Sequence, residues 1–252
     1  FRFDGDGDGR LDAEPVMLPP ADSAETLHLF IVTDSVPWEM VDQMRRQGRF
    51  AAFHAPSRVV APFPVMTDTC MDEFFGCSPA PGMESQYYDG TPMSSGYSHY
   101  VKEVNVPWIG AFDARISWFD HSFAYFWPDP WLGREHRLIQ EEFVRRLDAK
   151  QAGELDPADR RSHIVTGYCV AGSAIGAKYG RAGHNRGLVQ LDRLCQWIIH
   201  RAQGKVQITL MSDHGHHLGH RRYVSMKRIC RKLGYRVVKQ LKRPGDVVVP
   251  EF

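Results

Sequence analysis

No stretch of this chain carries enough consecutive apolar residues to cross a bilayer as a helix. Cysteine is scarce, and the five present (Cys70, Cys77, Cys169, Cys195 and Cys230) are scattered without the paired spacing of a zinc site. Their odd number argues against a disulfide framework, and several sit in apolar runs where a thiol packs as a small hydrophobe. A surplus of charge is missing too. Lys and Arg number 31 against 30 Asp and Glu, so a formal charge of +1 gives no global pull toward nucleic acid or an acidic membrane. No signal peptide is visible, but a chain that opens at Phe1 is expected to have lost its true start to processing or truncation, which leaves soluble bacterial periplasmic and cytoplasmic locations both open. Nothing in the pattern sets an oligomeric state.

What is present suits one large α/β domain: 252 residues, 43% apolar, enough for a single core. Residues 1–22 read as an acidic lead-in and 23–252 as the domain, with an aromatic-rich insertion at about 78–150. The lead-in places acids at alternate positions, Asp4, Asp6, Asp8 and Asp12, with Gly9 at the sixth, in the manner of a calcium loop. Pro15 stands where that loop needs a bidentate Glu, so the motif is degenerate and calcium at 4–12 is doubtful. Within the insertion Trp118, Phe119, Phe123, Tyr125, Phe126 and Trp127 crowd together, and Arg134 to Leu147 reads as an amphipathic helix with Ile139, Phe143 and Leu147 on one side. Basic residues gather near the carboxyl end, where Met226, Ile229, Cys230 and Leu233 recur at helical spacing. A surface helix with a solvated basic face accounts for them.

Three segments carry chemistry. The run Val206, Ile208, Leu210, Met211 leads into Ser212-Asp213-His214-Gly215, a strand that delivers two metal-ligand side chains to its carboxyl end. Leu27 to Val32 is a near-continuous apolar run that ends at Thr33-Asp34-Ser35, again a buried strand closing on an acid. A helix follows it, with Met40, Val41 and Met44 in register before Gly48. In Phe63-Pro64-Val65-Met66-Thr67-Asp68-Thr69 the prolines hold the chain extended up to a Thr at the head of a short helix. A hydroxyl there meets unpaired amides and the positive end of the helix dipole, which favour a phosphate or sulfate. A plain helix cap is the alternative for Thr67 or Thr69.

In this order the three segments resemble the alkaline phosphatase superfamily, most closely its type I phosphodiesterase and nucleotide pyrophosphatase branch, from about Leu27 onward. The resemblance implies an α/β fold, a mostly parallel central sheet flanked by helices on both faces. It also implies one divalent ion, zinc before manganese, held by Asp34, Thr67, Asp213 and His214. Thr67 would be the nucleophile, since the Phe-Pro spacing selects it over Thr69. A Thr hydroxyl needs a cation to lower its pKa, and the same cation neutralises charge on the phosphoryl group. A small-molecule phosphate ester is the expected substrate, with no nucleic acid partner. A sulfatase-like reading is weaker because sulfatases need a modified Cys or Ser where Thr67 stands.

The family's second metal site is where the sequence departs. In the register fixed by Leu188, Leu191, Asp192, Leu194, Cys195 and Ile198, Ser173 occupies the position of an Asp ligand and Ala177 that of a His. Neither is a credible zinc ligand. His184 lies about 10 Å beyond Ala177 along a continuous helix and reads as a surface or helix-start residue. Among His216, His217 and His220, solvated loop residues are the expectation, with a replacement ligand or general acid as the alternative. In the family a further His ligand for the second metal lies beyond the Asp-His-Gly unit, so here it is either absent or the chain is a fragment, and Gly245 to Phe252, which begins another strand and stops, makes a fragment the expectation. The leading function is therefore hydrolysis or transfer of phosphate esters through Thr67. The alternative is a non-catalytic relative that binds a phosphorylated ligand or partner.

Overall fold

The computed structural model describes residues 26–62, 65–77, 82–83, 86–87, 94–95, 108–117, 120, 123–124, 126–217 and 224–249. The calcium-loop-like segment at 4–12, the Phe63-Pro64 pair, Trp118, Phe119, Tyr125 and His220 lie outside these residues. The elements run β1 (Leu27–Thr33), α1 (Trp38–Arg46), α2 (Thr67–Phe75), the two-residue strands β2 (Gly82–Met83), β3 (Gln86–Tyr87) and β4 (Ser94–Ser95), and α3 (Pro128–Gln151). They continue with β5 (Ile164–Cys169), α4 (Ala171–Arg201), β6 (Val206–Ser212), α5 (Met226–Lys232), β7 (Arg236–Val237) and β8 (Asp246–Val247). They fall into two compact units, Phe1–Ala61 with Gly110–His217 and Pro62–Ile109 with Leu218–Phe252, each taken over its described residues.

The first unit is α/β, as the alternation of apolar strands and helical segments predicts. β1 runs between β5 and β6 and parallel to both. Its apolar run exists because a central parallel strand is covered along its length: Leu27, Leu29, Ile31 and Val32 are fully buried. Thr33 stands opposite Cys169 on one side and Ser212 on the other, so the three strands end level. Whatever follows β1 and β6 therefore emerges side by side at one sheet edge.

Pro128 opens α3, where a missing amide proton costs nothing. Leu132, Ile139, Phe143 and Leu147 form its buried stripe. A Cβ on Gly167 would stand 2.8 Å from the Ile139 side chain, so α3 lies tight against β5. One member of the stripe is an acid. Glu135 is buried and accepts from the amides of Val170 (3.0 Å) and Ala171 (3.0 Å), capping α4 from a different helix where Val170 supplies no side-chain cap.

Burial pushes the Glu135 carboxyl up to about 8, against the pull of the Ala171 and Val170 amides. An acid whose folded pKa is raised holds a proton that the unfolded chain has already lost. Stability from this group is thus greatest below the ordinary value of 4.5 and falls as pH rises toward about 8. Glu135→Gln is expected to gain on the wild type by roughly 3–5 kcal/mol between pH 5 and pH 8, in urea unfolding at the two pH values. An unchanged difference would contradict this environment for Glu135.

α4 breaks at Gly180, whose φ of 62° and ψ of −145° are open in practice to glycine alone. The chain folds back there, and Gly183 comes so close to Ile175 that a Cβ would stand 2.2 Å from its carbonyl oxygen. Beyond the break Leu188, Leu191, Leu194, Cys195 and Ile198 are buried in the order their spacing predicts. Asp192 among them accepts from the Phe50 amide at 2.9 Å and from Gln196.

The second unit contains α2, the antiparallel β2–β3–β4 ribbon and the parallel β7–β8 pair. α5 is capped by Ser225, whose hydroxyl accepts from the Arg228 amide. Arg228, Arg231 and Lys232 on it are exposed as expected, and so are Met226 and the following Leu233. Among the described residues no helix is long and apolar enough to cross a membrane.

Candidate metal centre

Asp34 and Asp213 are the first residues after β1 and β6, so the level strand ends set their carboxylates next to each other. With His214 they place one ligand atom each within 4.8 Å of one another. His214 Nε2 lies 3.6 Å from Asp213 Oδ2 and 4.0 Å from Asp34 Oδ1. Both acids are buried and His214 is half-buried. Burial, then the charge of Asp213, holds the Asp34 carboxyl well above its usual range, against hydrogen bonds from Ser35 and Tyr168. Two carboxylates and an imidazole form a donor set suited to zinc or manganese, and a divalent cation would offset the repulsion between the two acids.

Sequence reasoning missed the residue that ties this centre together. Ser35 has a φ of 59°, the left-handed region, and every polar atom it owns is engaged at the site. Its amide donates to Asp213 Oδ1 at 3.0 Å across 178 residues of sequence, and its carbonyl accepts from the His216 amide at 3.1 Å. Its hydroxyl donates to Asp34 Oδ1 in a short contact and lies 3.3 Å from His214 Nδ1. Asp213 Oδ1 also accepts from the His214 amide at 2.8 Å, which commits that oxygen to backbone and turns Oδ2 toward the His214 ring.

Ser212 and Tyr168 complete the support. The Ser212 hydroxyl accepts from the Val36 amide at 2.8 Å and donates to the His214 carbonyl at 2.6 Å, pinning the loop after β6 to the loop after β1. The buried Tyr168 hydroxyl donates to Asp34 Oδ2 at 3.4 Å, its ring packed on Phe112. Groups that orient ligands are worth about ten- to a hundredfold in metal affinity. Ser35→Ala keeps the backbone and deletes the hydroxyl, so affinity at this centre is expected to fall by about that factor in a chelator-competition titration. An unchanged affinity would contradict the orienting role.

Thr67 belongs to the second unit, where it is the first residue of α2 and half-buried. Met66 holds the N-cap position and provides no side-chain cap. The Thr69 hydroxyl donates to the Met66 carbonyl at 3.0 Å, within the first turn of its own helix. The structure thus brings together Asp34, Asp213 and His214, with Thr67 in the other unit.

Ser173 and Ala177, the stand-ins for the family's second ligand pair, sit in the first segment of α4, Ser173 buried and Ala177 exposed. His184 corrects half of the sequence reading: it lies at the start of the helical segment beyond Gly180, but it is 1% exposed and not a surface residue. Counting along a straight helix fails because the break at Gly180 returns His184 to the start of α4, where its ring fills the space a Cβ on Gly176 would occupy at 2.1 Å. There His184 Nε2 lies 3.1 Å from Nδ1 of His216, which is half-buried and so not a fully solvated loop residue. Burial, with His216 and Arg181 nearby, brings the His184 pKa down to about 4, leaving a neutral ring at neutral pH.

Comparison with protein-family models, with curated proteins and with solved structures gives no match, so the reading of this centre stands on its own geometry.

Proposed function

We propose that the protein is a metal-dependent hydrolase or transferase of phosphate esters, of the alkaline phosphatase type, with Thr67 as nucleophile. The observation that carries this reading is the convergence of Asp34, Asp213 and His214 at the carboxyl edge of a parallel sheet, where α/β folds place their sites. A divalent ion bound there, zinc before manganese, would supply Lewis acidity toward the hydroxyl and the phosphoryl group. Thr67 Oγ1 forms the new bond to phosphorus as the ester bond to the leaving alcohol breaks, and the alcohol takes up the proton. Water then cleaves the phosphothreonine and restores the hydroxyl. The amides at the head of α2 would hold the non-bridging oxygens.

Activity on an aryl phosphate monoester and an aryl phosphodiester, assayed with zinc or manganese and after chelation, tests the reading. Turnover that disappears with the metal and returns on its readdition supports it. The alternative, a non-catalytic relative binding a phosphorylated ligand, is favoured by the absence of donors at Ser173 and Ala177. Metal affinity with no turnover of either ester decides for that alternative.

A further inference from the structure

We propose that His184 Nε2 and His216 Nδ1 form a second divalent-metal site, distinct from the Asp34 centre and suited to a borderline ion such as zinc. The two nitrogens face each other at 3.1 Å, with the rings 5.3 Å apart between centroids and inclined at 70°. Zinc–imidazole bonds of about 2.0–2.1 Å at a tetrahedral angle require about 3.3 Å between the nitrogens, so a cation fits with a shift of a few tenths of an ångström.

The fold goes to some length to create this pair. The ring of His184 occupies a space that exists only because position 176 lacks a side chain, and it arrives there through the reversal at Gly180 and the close approach at Gly183. His216 is fixed from the other side by the hydrogen bond its amide donates to the carbonyl of Ser35, the residue that also organises Asp34 and Asp213. A cavity of about 20 Å³ borders His184, lined also by Thr33, Val36, His136 and Cys169, with room for one water-sized ligand. Two imidazoles and solvent give a weaker site than one that includes carboxylates. It should fill after the Asp34 centre.

Cobalt and zinc titrations of the full chain, followed by visible spectroscopy and calorimetry, test this together with three variants. Wild type is expected to take up two equivalents. His184→Gln and His216→Ala should each keep only the tighter one, and Asp213→Ala only the weaker one, with far-ultraviolet circular dichroism establishing that each variant is folded. The half-buried His216 serves if the buried His184 variant fails to fold. One equivalent in the wild type, or two in both histidine variants, overturns the proposal. Failure of the Asp34 centre looks different, because uptake would then survive Asp213→Ala unchanged and be lost in the histidine variants.

Discussion

Asp213→Ala is expected to empty the Asp34 centre. The variant loses the Oδ2 ligand, and it also strips the Ser35 and His214 amides of the oxygen they share. Groups that merely orient ligands are worth about ten- to a hundredfold in affinity, so loss of a ligand together with that anchoring should cost on the order of 10³-fold or more. Zinc competition against a chromophoric chelator reads this directly. Removing Asp213 also deletes a negative charge that holds the Asp34 carboxyl up, so Asp34 should ionise at lower pH in the variant. Affinity lost despite an easier ionisation of Asp34 would point to coordination by Asp213 itself. Affinity within a factor of about three of the wild type, well short of an orienting effect, would show that the ion sits elsewhere.

Thr67→Ala carries the second large effect. Without the hydroxyl no phosphothreonine forms, and kcat on phosphate esters is expected to fall by on the order of 10³-fold or more. Metal affinity should fall far less than in Asp213→Ala, because Asp34, Asp213 and His214 remain. That contrast separates a nucleophile from a ligand. Thr67→Ser restores a hydroxyl at the same position and should recover a large part of the activity, which a merely structural Thr at the head of α2 would not require. Equal activity in wild type and Thr67→Ala would remove Thr67 from the reaction.

That Asp34, Asp213 and His214 come together was legible in the sequence because two physical signals coincide there. A near-continuous apolar run marks the buried central strand β1, alternating β-formers mark the partly buried edge strand β6, and each run ends on an acid. Parallel pairing then needs only level strand ends to bring Asp34 and Asp213 together. The role of Ser35 was not legible, because its hydrogen bonds reach partners far along the chain and its left-handed backbone leaves no local trace in a serine. Glu135 could have been found: an acid three residues after Leu132 and four before Ile139 lies in the middle of an apolar stripe, where it needs a partner.

His184 shows how a correct count gives a wrong place. Its distance from Ala177 holds for a straight helix, and a single interior glycine is ordinarily tolerated in one. The signal lay in three glycines, Gly176, Gly180 and Gly183, around one turn-back, two of them needed for close approach and one for its backbone angles. Thr67 depended on the spacing of Phe63 and Pro64. Its own surroundings in the second unit add that Thr69 spends its hydroxyl on the helix and that Met66 holds the cap.

The most direct test of the Asp34 centre is anomalous diffraction at the zinc edge from crystals of the zinc-loaded protein. The expected result is a peak about 2.0–2.2 Å from a carboxylate oxygen of Asp34, a carboxylate oxygen of Asp213 and a ring nitrogen of His214. Zinc bound only at other residues, with Asp34 and Asp213 holding no ion, would contradict the assignment and the chemistry proposed from it.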